Sequence, residues 1–165
     1  MKILTKLICA ALPCAFAGSA HAQDAADLER HVLATAIFNT ACIQTAPNLE
    51  ASKEAFASNG LELRDNVFVG FGEQILGFLN TGADGKTRTC AVGLADGQAG
   101  QLNEMLEVLS TAVWGDGAQQ AQNQDGFPVY LSMREGFVAT MTVASGNPLM
   151  PVLNHIAFAP EGFGQ

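Results

Sequence analysis

Apolar residues recur at helical spacing from Asp24 to about Ile43. Leu28, Val32, Ala34, Phe38, Ala41 and Cys42 gather on one side, with Asp27, Glu29 and Arg30 towards another. The pattern predicts a long first helix with Cys42 in its last turn, broken by Thr45-Ala46-Pro47. Pro47 is placed to open a second helix, in which Leu49, Ser52 and Phe56 repeat as far as the stop Asn59-Gly60 and the apolar Leu61.

After Asp65 the period changes. NVFVGFG and EQILGFLN are apolar, aromatic and broken by Gly70, Gly72 and Gly77, while KTRTCAVGLA (86–95) alternates polar and apolar residues. These stretches predict strands with a hairpin around Asp84-Gly85, although Ile75, Leu76 and Leu79 also fit one helical turn. The strongest helical signal follows: Leu102, Leu106, Leu109 and Val113 form one stripe, Glu104 and Glu107 lie off it, and Gly115 stops it. AQQAQNQDG (118–126) reads as a polar loop. FPVYLSM and FVATMTVA flank Arg134-Glu135-Gly136 as a second hairpin, and residues 145–165 read as an extended Pro/Gly-containing tail packing through Val152, Ile156 and Phe158. No internal repeat is visible. The expected class is α+β: two N-terminal helices and an antiparallel sheet of about four to five strands. A third helix lies between two hairpins, giving the order α-α-β-β-β-α-β-β.

The chain start changes the picture. MKILTKLICAALPCAFAGSAHA places Lys2 and Lys6 before an apolar run of about eleven residues, then Ala20-His21-Ala22. This order predicts a secretory signal peptide over residues 1–22, cleaved between Ala22 and Gln23, and a single globular domain over 23–165. Cys14 follows Leu12-Pro13 inside the run, which disfavours a lipid anchor. Without the first 22 residues all sixteen acidic side chains remain, against Arg30, Lys53, Arg64, Lys86, Arg88 and Arg134. The charge moves from −8 to −10 as Lys2 and Lys6 leave. Scattered basic residues supply no patch for nucleic acid or anionic lipid, and no later stretch approaches a membrane span. The expectation is a periplasmic or secreted soluble protein whose acidic surface suits a basic protein of the cell envelope, with the oligomeric state left open.

Two cysteines then remain, Cys42 and Cys90. In an oxidising compartment they are expected to pair as a structural disulfide, tying the end of the first helix to the strand TCAVGL. A redox pair would more often be a close C-x-x-C, and a nucleophilic thiol would have to stay free beside a base.

Other chemistry is sparse. The histidines of this region are His31, one turn after Asp27 and expected as an ordinary surface pair, and His155 in the tail. There is no H-E-x-x-H, G-x-S-x-G or S-x-x-K. GFGEQI (70–75) has Ile75 where a dinucleotide fingerprint needs its third glycine. Asn80-x-Gly82-x-Asp84-Gly85 and Asn123-x-Asp125-Gly126 lack the ligands of a calcium loop and read as turns. No catalytic residue, cofactor or metal is expected. Trp114, at a helix end, either caps the core edge or anchors a partner. The leading expectation is a non-catalytic binding or inhibitor-type module. The alternatives are a small exported hydrolase or ligand-binding enzyme using His155 with a carboxylate from the sheet, and a structural envelope or assembly component.

Overall fold

The computed structural model describes residues 17–115, 118–134, 136–144 and 149–158, with side chains from residue 24 onward. Residues 1–16, and with them most of the expected signal peptide, lie outside the described residues; Ala22 and Gln23 fall within the first helix. That helix, α1 (Ala17–Phe38), continues into a π-helical segment (Asn39–Ile43) and is followed by α2 (Leu49–Ser58). The strands β1 (Glu62–Arg64), β2 (Val67–Gly70), β3 (Ile75–Thr81) and β4 (Thr87–Leu94) precede α3 (Ala99–Trp114). Then come β5 (Gln119–Gln122), β6 (Pro128–Arg134), β7 (Phe137–Ala144) and β8 (Val152–Phe158).

The class is α+β as expected, but the described residues form an eight-stranded antiparallel sheet rather than four or five strands, in the order β1-β2-β3-β4-β8-β7-β6-β5. Two four-stranded meanders meet at β4 and β8. Each is preceded by a helix, so α2 with β1–β4 and α3 with β5–β8 form two units related by a pseudo-two-fold axis normal to the sheet. No internal repeat is visible in the sequence because the units share element order and not residues. α1 is the extra element, lying over β4 and beside α3.

The helices cover one face. Register sets a row across the sheet, Leu79–Cys90–His155–Met141–Tyr130, whose side chains all point to the helices. Cys90, His155, Met141 and Tyr130 in it are buried. Gly77 on β3 is required there: a Cβ would lie 2.8 Å from the Phe56 ring, which α2 seats on the sheet and stacks 4.9 Å from Phe68. α2 is capped by Asn48, whose Oδ1 accepts from the Glu50 and Ala51 amides. Its stop is the expected one, with Gly60 at φ +82° and Leu61 buried.

Ile75–Thr81 is strand, as expected, and not the alternative helical turn. Four expectations change. Leu28 and Val32, expected on the buried side of the first helix, are 51 % and 54 % exposed. Val152–Phe158, expected as part of an extended tail packing through Val152, Ile156 and Phe158, is the central strand β8, which buries Leu153, His155 and Ala157 instead. Gln119–Gln122, expected as loop, form the edge strand β5, with every residue exposed and no apolar alternation to announce it. His31 is not a surface residue: it is 1 % exposed, with Nδ1 2.6 Å from the Asp27 carbonyl and Nε2 accepting from the Gln98 amide at 2.9 Å. Gln98 is the N-cap residue of α3, so a neutral, Nδ1-protonated His31 ties α1 to the start of α3. Asp27 pairs with Arg30 instead.

Candidate functional site

α1 and α3 run side by side in the same direction: His31 meets Gln98, the Thr35 hydroxyl lies 3.5 Å from the Met105 sulfur, and Asn39 and Ala112 line the far end. Their outer surfaces leave an open groove of about 490 Å³. Its lining is mostly apolar, including Val32, Ala36, Met105, Val108 and Leu109, with Thr35, Asn39 and, on α3, Glu104 as polar members. Val32 is 54 % and Val108 70 % exposed, so two β-branched apolar residues face water across the groove. The helical period explains them. Glu104, Val108 and Ala112 stand four residues apart on α3, and Leu28, Val32 and Ala36 do the same on α1, outside the stripes that enter the core. Charge on the two helices is unbalanced. From residue 24 on, the two helices carry five carboxylates (Asp24, Asp27, Glu29, Glu104 and Glu107) and one guanidinium, Arg30.

His155 offers a different environment. It lies on β8 opposite Cys90 of β4 and Met141 of β7, 2 % exposed under the helical layer. Burial pushes its pKa down to about 4, and the Arg134 charge adds to the effect. No carboxylate among the described residues forms an ion pair with it. The void touching it, between Cys42, Cys90, Ser52 and Arg88, has a volume of about 10 Å³, room for roughly one water. A base needs an orienting group and room for a substrate within reach, and among the described residues this ring has no carboxylate ion pair and too small a void for a substrate. Trp114 is half-buried against the core, its ring centroid 6.4 Å from that of His155. Arg134 Nη1 lies 3.5 Å from the Val113 carbonyl, at the C-terminal end of α3 where a cation complements the helix dipole. Tyr130, below α3, has a raised pKa through burial and then the Glu107 charge, with its hydroxyl lacking a well-formed hydrogen bond.

The remaining sequence candidates are structural in geometry. Cys42 and Cys90 are disulfide-bonded with Cα atoms 5.3 Å apart, inside the range such a bond permits. Phe38, Val92 and Leu94 are buried in the same core. The π-helical segment buries Ala41, Cys42 and Ile43 in succession, which turns Cys42 onto β4. Asp84 Oδ1 accepts from the Lys86 and Thr87 amides and Oδ2 from the Thr87 hydroxyl, bonds that bring its pKa to about 2. Asn123 Oδ1 accepts from the Asp125 and Phe127 amides. Both carboxamide and carboxylate are thus spent on their own turns. Among the described residues no three His, Cys, Asp or Glu side chains cluster in a way that could hold a metal ion. No described helix is long and apolar enough to cross a membrane.

Sequence reasoning missed the groove. Val108 lay off the stripe of α3 and was a usable signal, but Val32 read as part of the buried stripe of the first helix, and two helices distant in sequence had to be docked before they became one surface. No protein-family model, curated protein or solved structure matches the chain.

Proposed function

We propose that the protein is an exported, non-catalytic interaction module that takes a basic amphipathic segment of a partner into the groove between α1 and α3. The observation that carries this reading is an apolar groove of about 490 Å³ flanked by helices with five carboxylates and one guanidinium. Apolar side chains of the segment would fill the space between Val32 and Val108, and its lysines or arginines would meet Glu104 in the lining and Glu29 on the exposed side of α1. Export is supported by the order of charged, apolar and small residues over 1–22 and by the paired Cys42 and Cys90. Against the hydrolase alternative stand the enclosed position of His155 and the absence of room beside it.

A labelled leucine–lysine peptide of about four helical turns serves as the test ligand. Fluorescence anisotropy on the purified chain should show saturable binding that weakens as salt rises. Val108→Asp should abolish it and Glu104→Lys should weaken it about tenfold or more. Both positions lie in the exposed groove, so folding is preserved. No binding at low salt, or binding indifferent to both substitutions, overturns the reading.

A further inference from the structure

Among the described residues, no secondary-structure element lies over the face of the sheet away from the helices. Register places Leu76 and Phe78 of β3, Ile156 and Phe158 of β8, Val138 of β7 and Leu131 of β6 on that side. From β2 to β6 no outward position carries a charged residue, in a chain of formal charge −8. At one end, Met133 and Phe158, 81 % and 49 % exposed, border a hollow of about 520 Å³ that Lys86 and Arg134 also line. Asp84 lines it too, its carboxylate already engaged by its own turn. At the other end lies Asp96, beside a segment in which Met150 packs on Gly93 and Leu149 is 69 % exposed. Asp125 is in the β5–β6 turn at the same end.

From this distribution we infer that the open face is covered by a second copy of the chain, sheet against sheet, with the strands of the two copies antiparallel. A two-fold axis in the interface, perpendicular to the strands, lays β4 across its own copy in the opposite direction. Lys86 at one end of β4 then meets Asp96 of the second copy at the other, and the contact occurs twice. The protruding Leu149 end of each copy falls over the hollow of the other. The parallel alternative would stack like charges at both ends. A charge-free face also disfavours a basic partner here, so this surface is independent of the helical groove.

The area suffices. Six strands spaced by about 4.8 Å, each about seven residues of about 3.3 Å, give roughly 700 Å² per copy. That is close to the roughly 800 Å² per partner of a stable interface. Sheets so packed stand about 10 Å apart, the arrangement of a β-sandwich.

Sedimentation velocity on the full exported chain over a range of concentrations tests this directly. The expected result is a dimer that Val138→Glu converts to monomer, raising the dissociation constant about 100-fold or more with unchanged far-ultraviolet circular dichroism. Lys86→Glu and Asp96→Lys, both outside the core, should each weaken the dimer about tenfold, and the double exchange should restore it. A monomer at every concentration overturns the inference, including one that instead binds lipid vesicles. So does a dimer indifferent to Val138→Glu, or a double exchange no tighter than either single one.

Discussion

Protonating His155 is opposed by its burial and by the charge of Arg134, which together bring its pKa from 6.5 to about 4. The unfolded chain therefore binds a proton that the folded chain refuses over this range, and stability falls as pH drops through it. The contribution is fully present above about 6.5 and is worth about 3 kcal/mol. Urea unfolding at about pH 7.5 and about pH 4.5 should reveal the loss, and His155→Leu should remove most of it. An equally steep decline in the variant would mean that the carboxylates govern the acid limb. Asp84 does not interfere, because its own loss lies lower, between 3.8 and about 2. The two histidines also mark how far single residues could be read. His31 stands three residues before Ala34 and seven before Phe38, so its place in the buried stripe was legible from spacing. Asp27 one turn earlier suggested a charge pair, but the backbone carbonyl of Asp27 is what the ring meets. His155 had no such cue, since its burial depends on strand neighbours far away in sequence.

Among the elements, the bond between the π-helical segment and β4 is the one the sequence specified best. Pairing Cys42 with Cys90 closes a loop of 48 residues. On the chain-entropy account it contributes about 4 kcal/mol, against total stabilities of about 5–15 kcal/mol. Cys42→Ala should lower the urea midpoint by an amount close to that of the Cys42/Cys90 double substitution, leaving peptide binding intact. A variant as stable as the parent would show that the bond restrains nothing the core does not already hold. The helices were legible because each buries a stripe with a 3.6-residue period and ends at a glycine or proline signal. The strands were less so. β1 and β2 are short, joined through Asp65 and Asn66 at φ 47° and 69°, the left-handed pair of a tight hairpin turn. β5 lies at the sheet edge with every residue exposed and carries no alternation at all. β8 contains the sequence NHIAF between polar and apolar neighbours, and its central position follows only from the long-range pairing with β4 and β7.

At the scale of the molecule, charge is sorted by layer. Seven carboxylates lie on the three helices from residue 24 on, while the outward positions of the sheet from β2 to β6 hold none. The composition revealed the acidity but could not locate it, because the sorting appears only when two meanders join edge to edge. Such a molecule presents two unlike surfaces, an acidic apolar groove and a neutral apolar sheet, which suit different partners. The most direct measurement is an amide chemical-shift map of the isotopically labelled chain titrated with the leucine–lysine peptide. Perturbations confined to the neighbourhood of Val32–Asn39 and Glu104–Ala112, with β6, β7 and β8 unmoved, are the predicted result. Shifts centred on the sheet strands, with the two helices silent, would contradict the assignment of partner binding to the groove.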